Sequence, residues 1–115
     1  MSSTLSTGRP DHSLEDILEQ ARTIGIVVDR DYRIAFVDGV QLDLPFLEFE
    51  LFAYLVENPY RVHSREHLLA AVWGHDYDGG TRTVDVHVAR LRGKLGPARR
   101  HAVETLRRAG YRFRP

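Results

Sequence analysis

One helix constrains this chain more than any other segment: TRTVDVHVARLRGKL, Thr81 to Leu95. On a wheel turning about 100° per residue, Val84, Leu91 and Leu95 fall within about 60° of Val88. Those four make one apolar stripe. The opposite side carries Arg82, Thr83, Val86, Ala89, Arg90 and Gly93. His87 and Lys94 sit on one flank, Asp85 and Arg92 nearer the other. The fold must therefore cover one stripe of this helix and leave a cationic face uncovered. A face that is merely solvated mixes Glu with Lys. This one has arginines, a hydroxyl and a bare valine beside small residues.

The rest of the chain is acidic. Residues 1–81 carry 6 Lys/Arg against 14 Asp/Glu, a net of −8; residues 82–115 carry 10 against 2, a net of +8. A formal net charge of zero thus hides a basic third. That asymmetry suggests one polyanion-binding face. Mutual neutralisation across an internal interface is the alternative, and charge alone does not separate the two. With 115 residues and 43% apolar side chains, one small domain with a real core is expected. The chain has no cysteine, which excludes a disulfide framework, a thiol nucleophile and a thiolate zinc site. The longest apolar run, Leu68 to Trp73, is far short of the roughly 20 residues of a membrane span. The first residues lack a signal-peptide pattern. A soluble cytoplasmic protein with no membrane partner is expected.

Along the chain, residues 1–12 are Ser/Thr-rich and read as disordered. Residues 1–23 read as a flexible segment holding a short amphipathic helix, SLEDILEQAR, with Ser13 as cap and Asp16 as its capping-box partner. Leu14, Ile17, Leu18 and Ala21 form its stripe, which needs its own domain or a second copy to pack on. Residues 24–115 read as the folded domain. IGIVV and RIAFV flank the turn DRDY, and VDGVQLDL adds a turn at Asp38-Gly39 and a third strand. PFLEFELFAYLVENP is a helix with Pro45 at its first position and a wide buried face. Ser64 caps SREHLLAAVWG, with Leu68, Leu69, Val72 and Trp73 inward and Gly74 as its stop. The loop HDYDGG leads into the basic helix, and GPARRHA is a connector. VETL and YRFRP form a last hairpin about Arg107, Arg108, Ala109 and Gly110. Sheet, helix, helix–loop–helix and hairpin in this order follow winged helix-turn-helix logic.

The exposed face of the basic helix suits duplex DNA. Small Ala89 and Gly93 allow close approach, Val86 can meet a thymine methyl, and Arg90 can reach a base edge or a phosphate. Arg82 and Thr83, at the positive helix N-terminus, suit a phosphate. The major groove of DNA admits a helix, whereas that of A-form RNA is too narrow. In the hairpin, alternation puts Arg112 and Arg114 on one face and Tyr111 and Phe113 on the core face. Arginines at a hairpin tip, here Arg107 and Arg108, suit a narrow minor groove. They also suit a charged strand edge that resists aggregation.

These residues resemble a known family. From about Ile24 to Phe113 the chain is similar to the winged-helix effector domain of the OmpR/PhoB-type response regulators. The stretches that carry the resemblance are LEFELFAYLVENPYRVHSREHLLAAVWG, DYDGGTRTVDVHVARLRGKLG and VETLRRAGYRF. The resemblance implies an α+β winged helix-turn-helix: a four-stranded N-terminal antiparallel sheet, a three-helix core and a C-terminal β-hairpin wing. It implies sequence-specific transcriptional control on double-stranded DNA at the bacterial nucleoid, as head-to-tail dimers. By matching position, Val86 and Arg90 would face bases. Arg82, Thr83, His87 and Arg92 would hold phosphates, with Lys94 beside them, and Arg112, Arg107 and Arg108 would approach the minor groove. The loop His75, Asp76, Tyr77, Asp78, Gly79, Gly80 corresponds to the segment that family members turn to RNA polymerase.

Four departures stand out. The residues before Ile24 are too few for the phosphoacceptor module, so a chain without a receiver domain is expected, as a fragment or with another switch. Ala89 stands where a basic residue is common, Pro45 where a Thr/Ser cap is usual, and Arg108 where the wing often has Gly. No enzyme, cofactor or metal site is expected. His63 and His67 are four apart, but Ser64 follows the first where a zinc protease needs Glu. The competing functional reading is a protein-interaction module whose basic face docks an acidic partner.

Overall fold

The computed structural model describes residues 13–115. The expectation of disorder over residues 1–12 lies outside them. The chain divides into two compact units, one ending at Gln41 and the other beginning at Leu42.

In the first unit, helix α1 (Leu14–Thr23) begins with the expected capping box. The Asp16 amide donates to Ser13 Oγ and the Ser13 amide to Asp16 Oδ2, each at 3.2 Å. Only Ile17 and Ala21 of its stripe are buried, packed with Val27 and Phe36 of the adjoining sheet; Leu14 and Leu18 stay exposed. That packing makes α1 part of the sheet's unit. Strands β1 (Ile26–Asp29), β2 (Ile34–Val37) and β3 (Val40–Gln41) form an antiparallel meander, with Ile26 opposite Val37 and Val37 opposite Val40. Asp38 and Gly39 close the second turn, both at positive φ, as a two-residue hairpin loop requires. The described residues hold three strands in this sheet, where the resemblance implied four.

The second unit is built on α2 (Phe46–Glu57), whose Phe49, Leu51, Phe52, Ala53 and Leu55 are buried. Pro45 is the N-cap of α2, with ψ at 162°, and not its first helical residue. Its extended ψ keeps it outside the helix, and its ring supplies no side-chain cap. Helix α3 (Arg65–Leu68) is capped by Ser64 Oγ, which accepts from the His67 amide at 3.0 Å. The helix then widens over Leu69–Trp73, where the Gly74 amide reaches back five residues to the Leu69 carbonyl. This wider turn shifts side chains off the 3.6-residue period. Leu68 is fully buried, but Leu69, Val72 and Trp73 are only half-buried, against the expectation that all four face inward.

Helix α4 (Arg82–Leu95) buries the stripe read from the sequence: Val84, Val88, Leu91 and Leu95 are at most 5% exposed. Each such side chain contributes about 1.5–3 kcal/mol on burial. That burial, not the modest helix propensity of Val and Thr, holds α4. A short 3₁₀ turn (Arg100–Ala102) leads into β4 (Val103–Leu106) and β5 (Gly110–Phe113), antiparallel with Val103 opposite Phe113 and Leu106 opposite Gly110. Tyr111 and Phe113 point into the core, and Phe113 meets Phe52 edge-on at 6.2 Å. The segment before α3 adds a one-residue strand: His63 and Tyr111 exchange two backbone hydrogen bonds of 2.8 and 2.9 Å.

The hairpin contains two residues at positive φ with opposite consequences. Gly110, at φ 133°, lies so close to the His63 carbonyl that a Cβ would overlap it. Arg108, at φ 67°, occupies the left-handed region with a side chain that resists it. Gly110→Ala should lower stability by about 2–4 kcal/mol through strain and overlap. Arg108→Gly should raise it by about 0.5–1 kcal/mol, the relieved strain less the added chain entropy. Urea unfolding of the two variants checks both signs.

Candidate nucleic-acid interface

The face of α4 opposite the buried stripe is open. Arg82, Ala89, Arg90 and Gly93 are exposed, and Val86 is 37% exposed. A Cβ added at Gly93 would meet nothing within 4 Å. Thr83 is half-buried at the first turn. His87 donates from Nδ1 to the Thr83 carbonyl at 2.8 Å, and its ring stands edge-on to Trp73 at 5.0 Å. That bond places the ring proton on Nδ1.

The acidic residue of this helix is neutralised inside the unit. Asp85 Oδ1 accepts from Arg65 Nε and from the Tyr111 hydroxyl, both at 2.6 Å. Burial alone would raise the Asp85 carboxyl, but the Tyr111 hydroxyl and Arg65 outweigh it and hold the group below its ordinary value. Burial pushes the Tyr111 phenol up, and its bond to Asp85 pushes the same way. Arg65 and Arg92 flank the Tyr111 ring, 5.5 and 5.8 Å from its centre. The network ties α3, α4 and β5 together. Sequence reading missed it, although a signal existed: Asp85 is one of only two acidic residues after position 81.

The remaining cations fall into two groups. Arg107 and Arg108 are exposed at the hairpin tip, as expected of a wing. Arg112 is half-buried and bonds Glu104 at 2.8 Å, a carboxylate it shares with Arg114 at 3.5 Å. Arg92 turns to the hairpin, donating to the Val103 carbonyl through Nε and Nη2 and to Thr105 Oγ1 at 2.7 Å. The Lys94 ammonium donates to the Asp43 carbonyl at 2.6 Å and pairs with buried Glu48 at 3.4 Å. The loop from His75 to Gly80 is exposed apart from Gly79, with Tyr77 41% exposed.

His63 and His67 stack at 5.4 Å, nearly parallel, and Tyr54 bonds His67 through its hydroxyl at 2.7 Å. Among the described residues, no three His, Asp or Glu side chains are grouped to hold a metal ion. No described helix is long and apolar enough to cross a membrane.

Comparison with known proteins bears on this surface. Residues 39–113 match the family model described as transcriptional regulatory protein, C terminal. The chain is 38% identical over 108 residues to the sensory transduction protein RegX3 of Mycobacterium leprae, covering 92% of this chain and 54% of that protein. It is 42% identical over 88 residues to the response regulator ArlR of Staphylococcus saprophyticus, covering 76% and 40%. The chain spans about half the length of the curated relatives it matches. Among solved structures it is similar to the Klebsiella pneumoniae RstA DNA-binding domain in complex with the RstA box, with a TM-score of 0.69 and 30% identity over 79% of this chain and 92% of that one. DrrB, described as a Thermotoga maritima OmpR/PhoB homolog, gives a TM-score of 0.71 and 29% identity over 81% and 43%.

Two measurements check the packing beneath this surface. Tyr111→Phe removes the buried hydroxyl from Asp85 and should cost about 1–2 kcal/mol in urea unfolding. An unchanged midpoint would remove the network from the account. His63 is buried, and burial, with smaller contributions from His67 and Arg61, depresses its pKa below about 6.5 despite the opposing Asn58 carbonyl. A base held neutral by the fold stabilises it fully above the unfolded value and loses that contribution as pH falls through about 6.5 toward the folded value. The urea midpoint should therefore drop as pH is lowered through that window, and less so in His63→Gln.

Proposed function

The chain belongs to the family of transcriptional regulatory protein C-terminal domains, the OmpR/PhoB-type winged-helix effectors, and from that premise we propose that it regulates transcription by binding specific double-stranded DNA. Helix α4 enters the major groove and the β4–β5 hairpin meets the adjacent minor groove. Val86 and Arg90 read base edges. Arg82, Thr83, His87 and Arg92 hold phosphates, and Arg107, Arg108 and Arg112 serve the wing. The loop His75–Gly80 faces RNA polymerase, and two copies pair on DNA.

One observation carries the reading: the face of α4 that the fold leaves open is cationic and low in profile, and its only acid is already paired. An open face of small residues with an arginine beside a valine is what a groove accepts, since it lets the backbone approach the base edges. Ala89 belongs to this logic, giving depth. Lys94 lies beside these contacts, with Asp43 and Glu48 as its partners inside the unit. RegX3 and ArlR are named for sensory transduction and response regulation. By that likeness the chain acts at the output end of a signalling path.

Two variants separate reading from holding. Arg90→Ala should cost about 1–3 kcal/mol on the best site and relax its base preference, given a bidentate contact to guanine. Arg82→Ala should weaken all duplexes alike. Identical preferences for the two variants, in selection from random duplexes, would overturn the assignment. Wild-type affinity should fall with salt at a log–log slope of about −0.9 per neutralised phosphate, for about 4–8 phosphates. A flat response would favour the acidic-protein partner instead.

A further inference from the structure

An open cleft of about 580 Å³ lies between the C-terminal half of α4 and the base of the hairpin. Its lining includes Arg92 from α4, Arg100 and His101 from the 3₁₀ turn, Thr105 and Glu104 from β4 and Arg112 from β5. The charges here are unbalanced. Glu104 is the one carboxylate on the lining, and it is already shared between Arg112 and Arg114. Arg92 has only neutral oxygen partners, Val103 and Thr105, and among the described residues its Nη1 makes no hydrogen bond. The side chains of Arg100 and His101 are exposed and have no carboxylate partner among the described residues. Burial works against the charge on Arg92; Tyr111 favours that charge, and the nearness of Arg100 adds a smaller opposing effect.

Arg92 and Arg100, two guanidiniums on an open cleft whose one carboxylate, Glu104, is already paired with Arg112 and Arg114, make a seat for a tetrahedral anion. The place also matters. A helix in the major groove and a hairpin in the neighbouring minor groove must straddle one sugar–phosphate ridge. That ridge has to pass between α4 and the hairpin, and the cleft opens between those two elements. We propose that this cleft seats a backbone phosphate of the bound duplex, gripped by Arg92 and, from the turn after α4, by Arg100 and His101. The inference rests on the DNA-binding reading above and extends it to two residues outside that reading.

The test uses the full chain carrying Arg100→Gln or Arg100→Gln with His101→Gln, on its best selected duplex and on an unrelated one. Both side chains are exposed, so thermal unfolding should match the wild type. Arg100→Gln should weaken both duplexes by the same factor, about 3- to 10-fold at 0.1 M salt, and make the log–log salt slope shallower by about 0.9. The double variant should lose more, without changing base preference. An unchanged slope and affinity, while Arg90→Ala still shifts base preference, would overturn the cleft proposal and leave the DNA reading standing. Absence of wild-type binding at low salt would sink both. Inorganic phosphate separates the remaining source. If it raises the melting temperature of the wild type but not of Arg100→Gln, and duplex binding is equal in both, the cleft holds a free anion and the duplex assignment is wrong.

Discussion

The arrangement depends on one carboxylate. Asp85 takes a hydrogen bond from Arg65 of α3 and another from Tyr111 of β5, both to the same oxygen and both at 2.6 Å. Through it, α3, the hairpin and the helix proposed to read DNA share a single node. Its position explains how an acid fits in a helix proposed to face DNA. An unpaired carboxylate there would repel phosphate at close range. Paired with a guanidinium and a phenol, it fixes the rotation of α4 about its axis and adds little field outside. Tyr111 serves the node three ways: its hydroxyl binds Asp85, its ring lies between Arg65 and Arg92, and its backbone pairs with His63.

The cations follow from that rotation. With Val84, Val88, Leu91 and Leu95 buried, Arg82 and Arg90 are left outward. Arg92 falls toward the hairpin and binds its Val103 carbonyl and Thr105 hydroxyl, while Lys94 falls toward α2 and pairs with Glu48. The ten Lys/Arg residues after position 81 are therefore not equivalent. Some carry the fold, some form an outward field, and Arg92 does part of each. A zero net charge is no obstacle to polyanion binding when the outward cations cluster on one face.

Local features were legible in the sequence because their physics is local. The 3.6-residue period gave the α4 stripe, strand alternation gave Tyr111 and Phe113 as core, and the Ser13–Asp16 spacing gave a capping box. What escaped reading depends on distant partners or on irregular backbone. Asp85 meets residues 20 and 26 positions away, and Lys94 meets one 51 away. No periodicity encodes those distances. The widened turn over Leu69–Trp73 left Val72 and Trp73 half-buried because it breaks the period on which the inward assignment relied. Pro45 proved a cap because its φ suits either position and only ψ distinguishes them. The family resemblance supplied functional roles the residues alone left open, but it implied a fourth N-terminal strand that the described residues do not form.

The most direct test is to follow the backbone amides of the full chain by NMR during titration with a selected duplex. DNA binding through α4 and the hairpin should give saturable shifts concentrated at Arg82, Thr83, Val86, Arg90 and the Arg107–Arg108 tip, with little change in α1 and β1–β3. Saturable shifts confined to those N-terminal elements, or no saturable shift at low salt, would contradict it.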